Sequence, residues 1–490
     1  MNKIKFLPFV ILFSLFCASL SAKADAYTYN FWDEIEKSPD AYRVSHVLYA
    51  SDLGLDKALK NPSSLFADGN TIYLTDTDNN RIVVMEYTEK KTLEIVKVID
   101  RVNDSPFLED TRLQSPQDVF VSRDGFIYIA DTQNGRVIKT DKDLNVILVI
   151  KEPVDKTYEK DKAFLPVKVV ADASGRVYIL SKNVTKGFLK YEADGTFQGY
   201  YGATKVIVTA AQRFWKKIAT EAQKARMISF VPTEYSNCYM DREGFIYAVT
   251  KNFDEWDLLS GKAAPIRRLN ALGDDILIQN GYEYSIGELK WGNAGGISGP
   301  SRMSDITLLD NEVYIALDEN RGRLFAFDNQ GYLLFAFGGK GNVKGNFRSA
   351  VSLEHVGKDL FVLDSSSASV TVFTPTEYGN LIFTAEEQFS VGEYDASAET
   401  WEKVLKLNGN YDLAYIGLGK SYLRQKKYKE AMDNFKLKRD KRDYSKAFKY
   451  YRKEWIERNF TWLAAVIIII ILIPVIVGWV RRIKWEISTL

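Results

Sequence analysis

One pattern recurs six times within residues 53–376 and constrains the fold more than any other feature of the sequence. Each copy has an apolar strand, a turn that contains Gly or Asp, and a strand centred on an aromatic residue. The central aromatics are Tyr73, Tyr128, Tyr178, Tyr247, Tyr314 and Phe361, spaced 55, 50, 69, 67 and 47 residues apart. A period of about 50 residues suits one four-stranded sheet per copy. The sequence therefore predicts a mainly β protein, with a six-bladed β-propeller over residues 53–376.

A short motif follows the central strand in three copies. Asp76–Arg81 reads DTDNNR, Asp131–Arg136 reads DTQNGR, and Asp318–Arg323 reads DENRGR. These segments resemble the NHL repeat, whose signature is a strand, Asp-x-x-Asn-x-Arg, another strand and an Asp-x-x-Gly turn. The resemblance covers residues 42–376 and is weaker in the other three copies. We interpret the motif as scaffold, with the carboxylate accepting backbone N–H groups and the Arg bracing the neighbouring blade. A ligand site is the alternative.

The chain around the repeats supplies the remaining parts of the ring. Residues 42–50 (YRVSHVLYA) form a strand-like segment before the first copy. The N-terminal segment 25–52 is therefore expected to provide the outer strand of the last blade and to close the ring. The two longest intervals between copies require insertions. In the first of them, residues 209–227 are rich in Ala, Lys and Glu, which predicts a surface helix.

The second long interval contains two polar loops, residues 251–264 and 287–301, which carry Trp256 and Trp291. Loops of this length in a compact ring are often functional, and tryptophan rings suit stacking on sugars. We therefore predict that Trp256 and Trp291 bind a ligand. Packing of both rings under their own loops is the alternative.

The hydrophobic period changes to that of helices after the propeller. Residues 378–407 and 411–437 have a helical pattern. The residues that match the tetratricopeptide consensus in order are Tyr415, Leu418, Gly419, Tyr422, Tyr428, Ala431 and Phe435. Segment 377–460 thus resembles a tetratricopeptide pair, in which small residues such as Gly419 and Ala431 permit close helix crossing. An unrelated helical hairpin is the alternative.

Apolar segments at both ends of the chain predict export and anchoring. Residues 1–24 combine a positive start, an apolar stretch and an Ala-Lys-Ala cleavage pattern, as in a signal peptide. Residues 461–480 carry no charge, and about 20 such residues match the thickness of a bilayer core. Basic residues in the tail 481–490 predict a cytoplasmic C-terminus. We therefore expect a single-pass cell-membrane protein with its N-terminal bulk outside.

Candidate binding residues lie where the first strand of each blade begins, at the mouth of the central channel. Counting back from each turn selects one residue per blade, and the six are Ser64, Asp118, Lys168, Asn237, Asp305 and Ser352. A ring of such polar groups could bind a polar ligand or an ion. A water-filled channel lined by polar strand ends is the alternative.

Charge and composition restrict the function further. Lys and Arg number 65 against 64 Asp and Glu, so the balance gives no support for nucleic-acid binding. His46 and His355 stand far apart, and Cys238 is the one cysteine outside the predicted signal peptide. We therefore predict no metal site, no cofactor and no catalytic residue.

The combination of parts resembles exported NHL-repeat proteins of Gram-positive bacteria, which occur with carbohydrate ABC transporters. This resemblance implies a membrane-anchored binding or scaffold protein that recognises a glycan or an envelope protein partner. The alternative is a metal-dependent hydrolase or lyase, since gluconolactonase-type propellers hold a divalent metal with Glu, Asn and Asp in the channel. Lys168 and two serines at the predicted ring make a poor cage for a hard cation.

Overall fold

A computed structural model describes residues 26–489 except 31, 33, 156–157, 159–162, 183, 204–234, 254–257, 259–262, 281–286 and 289–298. The predicted signal peptide, the predicted helix at 209–227, Trp256 and Trp291 lie outside the described residues. Contacts divide the chain into two units, Met1–Asn380 and Leu381–Leu490.

The first unit is built from β-strands. In chain order they are β1 (Tyr27–Tyr29), β2 (Ile35–Lys37), β3 (Tyr42–Tyr49), β4 (Ser64–Asp68), β5 (Thr71–Asp76), β6 (Arg81–Tyr87), β7 (Leu93–Ile99), β8 (Pro116–Val121), β9 (Ile127–Asp131), β10 (Arg136–Thr140), β11 (Val146–Ile150), β12 (Pro166–Ala171), β13 (Val177–Ser181), β14 (Phe188–Tyr191), β15 (Phe197–Tyr201), β16 (Tyr235–Met240), β17 (Ile246–Thr250), β18 (Ile266–Leu269), β19 (Met303–Leu308), β20 (Tyr314–Asp318), β21 (Arg323–Phe327), β22 (Leu333–Gly338), β23 (Ala350–Val356), β24 (Asp359–Asp364) and β25 (Ser369–Pro375).

These strands form six antiparallel sheets, which confirms the six-bladed propeller. Strands β4–β7, β8–β11 and β12–β15 are blades 1 to 3, and β16–β18 are the described strands of blade 4. Blade 5 contains β19–β22 with β1 and β2 at its outer edge, and blade 6 contains β23–β25 with β3. The innermost strands β4, β8, β12, β16, β19 and β23 contact one another in cyclic order. The ring therefore surrounds a central channel.

The ring closes through the N-terminal part of the chain. Strand β3 pairs antiparallel with β25, from Tyr42 opposite Pro375 to Tyr49 opposite Ser369. Strand β3 therefore forms the outer strand of the last blade, as predicted. Pairing residues from both ends of the propeller ties the first blade to the last and protects an edge.

The second strand of each blade forms the core between neighbouring blades. The six central aromatics are all buried, from Phe361 at 0% exposure to Tyr73 at 9%. Their rings contact other rings, as in the stack of Tyr314 on Phe327 with centroids 5.2 Å apart. Aromatic and β-branched residues fill the pleated surfaces that face one another across blades, and this packing positions the first strands around the channel.

The Asp-x-x-Asn-x-Arg motif holds the connection that enters each blade. Asp76 accepts the Lys60 backbone N–H at 2.7 Å through one carboxylate oxygen, and the other accepts the Arg81 Nε–H at 2.8 Å. In blade 2, Asp131 likewise accepts the Gln114 N–H and the Arg136 Nε–H, both at 2.7 Å. The carboxylates thus accept backbone N–H groups as predicted. The prediction that the Arg braces the neighbouring blade is wrong, because Arg81 and Arg136 donate to the Lys57 and Arg112 carbonyls of the entering connections.

The fifth copy uses its arginines differently. The Nε atoms of Arg323 and Arg321 lie 2.8 Å and 3.0 Å from the Glu288 carboxylate. The Tyr27 hydroxyl donates to the same carboxylate at 2.5 Å, and the Arg323 guanidinium lies 4.8 Å from the Tyr27 ring centre. Glu288 therefore fastens the N-terminal hairpin to blade 5.

The second unit is helical. Its helices, with the one that leads into it, are α1 (Glu377–Ser390), α2 (Tyr394–Leu407), α3 (Asp412–Arg424), α4 (Tyr428–Leu437), α5 (Lys441–Arg458) and α6 (Phe460–Ser488). Successive helices from α2 to α5 pack on one another. A Cβ at Gly419 would lie 2.7 Å from the Phe435 ring, and one at Gly417 would meet the Trp401 ring. These glycines therefore allow the helices to approach closely.

Helix α6 is long and apolar enough to cross a membrane. Its 29 residues include an 18-residue window of mean hydropathy 3.1, and none of that window is buried within the protein. A buried core helix would have its apolar side chains covered, whereas these lie exposed. The predicted span 461–480 falls inside this helix.

Candidate functional site

A repeated irregularity shapes the mouth of the channel. In blades 2 to 6 the pairing of the first and second strands shifts by one residue, and the skipped residues are Gln117, Val167, Ser236, Ser304 and Val351. Blade 1 keeps a plain register, with Ser64 opposite Thr75. A β-bulge bends the strand and changes the direction of the side chains beside it. Each predicted ring residue outside blade 1 directly follows such a bulge.

A cavity of about 270 Å³ lies at this mouth. Its lining comes from all six blades and consists of Asn61, Pro62, Ser63, Ser64, Thr77, Gln117, Val167, Lys168, Ser236, Asn237, Lys251, Ser304, Glu319 and Val351. Of the six predicted ring residues, Ser64, Lys168 and Asn237 line the cavity. Asp118, Asp305 and Ser352 are buried and do not line it.

The bulged residues and the pair Lys251 and Glu319 also line the cavity but were not among the predicted site residues. In blades 2 to 6 the bulged residue stands one position before the predicted ring residue, so a shift of one place in the repeat alignment would have found it. Lys251 and Glu319 each follow a second strand, and their side chains form an ion pair at 3.2 Å. Nothing in the repeat pattern marks this pair, because it occurs in two blades rather than six.

Asp118 joins three blades beneath the cavity. Its Oδ1 accepts the Ser64 hydroxyl at 2.7 Å and the Lys168 ammonium at 3.1 Å. Its Oδ2 accepts the Val169 backbone N–H at 2.9 Å. Three of the predicted residues therefore form one hydrogen-bonded group, and its two charges cancel.

Asp305 makes a similar group on the opposite side of the ring. Its Oδ2 accepts the Ser352 hydroxyl at 2.7 Å and the Leu353 N–H at 2.8 Å, and its Oδ1 accepts the Ile306 N–H at 2.8 Å. The Ser352 oxygen in turn accepts the Leu65 N–H of blade 1 at 3.0 Å. These hydrogen bonds connect the last blade to the first.

Burial and charge set the protonation of these groups. Burial would lower the pKa of Lys168, but the Asp118 and Asp305 carboxylates outweigh it and hold the pKa above its ordinary value. The ammonium therefore stays charged. Burial raises the pKa of Asp305 to about 6, although Lys168 and the bonds from Leu353 and Ser352 act in the opposite direction.

A second polar cluster lies deeper along the first strands. The Glu354 carboxylate accepts the His355 N–H at 3.1 Å and the Thr307 hydroxyl at 3.4 Å. Burial, followed by the nearby Asp305 charge, raises the pKa of Glu354 to about 8. Burial lowers the pKa of His355 to about 4, and its Nδ1 lies 2.7 Å from the Thr307 hydroxyl oxygen. At neutral pH both groups are mainly uncharged.

The deeper channel is apolar toward the first blades. The Phe66 and Phe120 rings, two positions beyond Ser64 and Asp118, have their centroids 5.1 Å apart. Cys238 is buried, and burial raises the pKa of its thiol. A thiol in this environment is a packing group rather than a nucleophile.

The channel does not fit a divalent metal of the gluconolactonase type. Among the described residues, no group of three or more His, Cys, Asp or Glu side chains has an arrangement that could hold a metal ion. The Asp118 carboxylate already binds the Lys168 ammonium. A fixed positive charge in the ring repels a second cation.

Comparison with known proteins finds no matching family and no matching curated protein. Similar solved structures include a virginiamycin B lyase from Staphylococcus aureus with quinupristin, at 10% identity, TM-score 0.40, and coverage of 67% of this chain and 87% of that chain. A gluconolactonase from Xanthomonas campestris matches at 10% identity and TM-score 0.40, covering 73% and 99% of the two chains. A protein of unknown function from Bacteroides thetaiotaomicron matches at 10% identity and TM-score 0.40, covering 72% and 76%. At this identity the likeness concerns the fold alone.

Proposed function

We propose that this chain is a membrane-anchored binding protein whose propeller recognises a neutral, hydroxyl-rich ligand, a glycan, at the channel mouth. The observation that carries the proposal is the lining of the cavity, in which side chains of all six blades converge on one space of about 270 Å³. Binding sites are concave and place a few polar groups on a formed surface. The ring of blades supplies such a surface.

The charges at the mouth favour a neutral ligand. Lys168 is neutralised by Asp118, and Lys251 by Glu319. The other polar lining side chains are hydroxyls and amides, such as those of Ser64, Gln117 and Asn237. These groups both donate and accept hydrogen bonds, as the hydroxyl groups of a sugar do. A charged ligand would have to separate one of the ion pairs.

The size of the cavity favours a small ligand or the end of a chain. Its volume lies just below the range of about 300–1,000 Å³ that is usual for drug-sized ligands. Trp256 and Trp291, predicted to stack on sugars, would extend such a site, and that role stays a prediction.

The proposal also includes the repeat types of the propeller and of the helices, and their location. The bonding of Asp76, Arg81, Asp131 and Arg136 supports an NHL-type propeller, and the packing at Gly419 supports tetratricopeptide-like helices. We propose an extracytoplasmic location for both, with helix α6 as the anchor. The envelope partner would be a glycan-handling assembly such as a carbohydrate transporter.

The alternative function, a metal-dependent hydrolase or lyase, has weaker support. The buried Lys168–Asp118 pair occupies the part of the ring where the cage would have to form. Glu354 is the described acid with the strongest claim to proton transfer, because its pKa of about 8 keeps it protonated at neutral pH. It lies among buried side chains rather than on the cavity lining.

Binding of glycans to the purified full-length chain in detergent tests the proposal. Neutral and acidic oligosaccharides would be screened, and the affinity of each hit measured by calorimetry. Gln117→Ala removes an amide from the cavity wall and should weaken binding of a neutral sugar about 10-fold. Gln133→Ala, in the same blade but outside the cavity lining, is the matched control and should bind as the wild type does.

Other outcomes separate the alternatives. Affinity that falls with Trp256→Ala or Trp291→Ala but not with Gln117→Ala would move the site to the loops. Metal-dependent turnover that is lost in Asp118→Asn would replace the binding protein with the enzyme.

A further inference from the structure

Helix α5, which directly precedes the apolar helix α6, is strongly basic. Lys441–Arg458 contains seven Lys or Arg residues and three Asp or Glu residues in its sequence KRDYSKAFKYYRKEWIER. Its ion pairs involve Arg442 with Asp443, Lys453 with Glu457, and Arg458 with Glu454. The helix therefore carries a net positive charge next to the segment that can enter a membrane.

Helix α5 has one buried side and one exposed side. Asp443 and Ala447 are buried against the preceding helix, and the neighbouring Tyr444 is half-buried. The residues on the opposite side are exposed, and they are Lys446, Phe448, Lys449, Arg452, Lys453, Trp455 and Ile456. At 100° per residue they form a continuous surface, with Lys446, Lys449 and Lys453 along one border and Phe448 and Trp455 along the other. We call these seven residues the basic–aromatic face.

Large apolar groups continue from this face into α6. Trp455 and Ile456 are 46% and 42% exposed, and Phe460 and Trp462 are 65% and 64% exposed. Exposed apolar side chains cost free energy in water, whereas aromatic rings are favoured at a membrane interface. Asn459 alone separates the two helices, so the basic–aromatic face lies between about one and about four helical turns from the start of the span.

We propose that the basic–aromatic face binds the headgroups of anionic phospholipids, with its aromatic border in the interface and its lysines on the phosphates. A helix with a basic face and Trp, Phe and Ile beside it has the composition of a segment that lies on a membrane surface. The inference rests on the anchoring part of the proposed function and is independent of the glycan site.

The predicted membrane orientation does not account for the lysines of α5. With the C-terminus inside, α5 lies outside, where the bias of cytoplasmic loops toward Lys and Arg does not apply. A long exported domain is translocated largely regardless of its charge. A role at the lipid surface accounts for a cationic cluster at this position, because each basic residue near an anionic bilayer strengthens binding about five-fold.

An environment-sensitive fluorophore on α5 tests the proposal in the full chain. Ser445 is exposed on α5, at the angle between Arg452 and Ile456, and Ser445→Cys provides the attachment point. The buried Cys238 thiol, with its raised pKa, should not compete for the label. The labelled protein would be reconstituted into vesicles of phosphatidylcholine alone or of phosphatidylcholine with phosphatidylglycerol. We expect a blue-shifted emission in the anionic vesicles, which about 1 M salt removes by shortening the Debye length to about 3 Å.

Charge reversal provides the matched comparison. The triple variant Lys446→Glu, Lys449→Glu, Lys453→Glu should weaken the preference for phosphatidylglycerol by at least about 100-fold, because loss of each favourable lysine alone costs about five-fold. The triple variant Lys403→Glu, Lys406→Glu, Lys429→Glu changes the same charge on exposed positions of α2 and α4 and should retain the blue shift.

The possible results separate the two claims. An emission that is the same in both vesicles, or that survives reversal of the α5 lysines, would overturn headgroup binding. A chain that fails to float with vesicles of either composition would instead contradict the anchoring by α6. Loss of the shift in both triple variants would show a general charge effect and would also overturn the assignment to α5.

Discussion

Asp118 and Asp305 occupy the same position on the first strands of blades 2 and 5, yet their surroundings differ in charge. Each accepts a serine hydroxyl at 2.7 Å and a backbone N–H of the next blade at 2.8–2.9 Å. Asp118 also holds the Lys168 ammonium at 3.1 Å, whereas no Lys or Arg of the described chain forms an ion pair with Asp305. The repeat thus fixes hydrogen-bond geometry, while the residue that a neighbouring blade carries at its own ring position, such as Lys168, decides the charge.

The difference divides the ring into two parts. On the first side, the Asp118 carboxylate and the Lys168 ammonium form an ion pair, and this group links three neighbouring blades. Beside Asp305, the buried acids Asp305 and Glu354 have raised pKa values, of about 6 and 8. On the first side, the raised pKa of Lys168 keeps the ammonium charged near neutrality. On the second side, burial raises the pKa of Glu354 to about 8, so that side is sensitive to pH.

Breaking the ion pair should give the largest effect. Lys168→Met leaves the Asp118 carboxylate buried without its cation, which typically costs about 3–5 kcal/mol of unfolding free energy. Denaturant unfolding of the full-length chain in detergent measures this loss. Lys251→Met removes a partly exposed pair with Glu319 and should cost less than about 1 kcal/mol. Equal losses in the two variants would contradict the buried pair, and recovery in Asp118→Asn, Lys168→Met would support it.

The unpaired acids should make stability fall as pH rises. Glu354 has a folded pKa of about 8, above its ordinary value of 4.5, so the folded chain binds more protons and this contribution to stability is lost as pH rises from about 4.5 through 8. The range from pH 6.5 to 8 isolates this effect from that of His355. The slope is about 1.4 kcal/mol per pH unit for one group. The Asp305 charge raises the pKa of Glu354 and the Lys168 charge lowers it. His355 has the opposite effect on stability, which it makes rise with pH below pH 6.5, because burial lowers its pKa to about 4.

Thermal unfolding as a function of pH tests this linkage. Glu354→Gln cannot ionise and should flatten the curve between pH 6.5 and 8, with the variant more stable than the wild type at pH 8. Asp68→Asn, at the far end of β4, changes an acid outside the cluster and should leave the slope in place. A wild-type curve that rises through this range would show that Glu354 is already ionised in the folded state.

The smallest effect is expected from the two serines that donate to these carboxylates. Ser64→Ala removes one of three bonds to Asp118, which keeps Lys168 and the Val169 N–H. Ser352→Ala also removes the acceptor of the Leu65 N–H, so a buried donor is left unsatisfied. We expect Ser352→Ala to cost about 1–2 kcal/mol more than Ser64→Ala, measured by denaturant unfolding. The reverse order would contradict the difference between the two halves.

The repeat pattern was enough to predict the fold, because the central aromatics such as Tyr128 and Phe361 recur with the spacing of the blades and are buried by it. It also located the strands that carry Asp118 and Asp305. The bulges shift the lining by one residue, to Gln117 in blade 2, and a bulge has no fixed sequence signal.

The protonation of the site could not be predicted from the repeat at all. Lys168 pairs with Asp118 across two blades, 50 positions apart in the chain, and single-sequence periodicity does not report contacts between different copies. Glu288 is a similar case, since its bonds to Tyr27 and Arg323 join an insertion to both an early strand and a late blade. Sequence periodicity thus predicts what every blade shares and misses what joins particular blades.

Calorimetric titration of the full-length protein with Ca²⁺ and Mg²⁺ tests the central claim most directly, namely that Lys168 supplies the cation of the channel and the mouth binds a neutral ligand. We expect no stoichiometric metal binding in the wild type and no change in thermal stability on adding a chelator. We also expect glycan affinity that does not depend on divalent ions. One-to-one metal binding that disappears in Asp118→Asn or Asp305→Asn would contradict the claim.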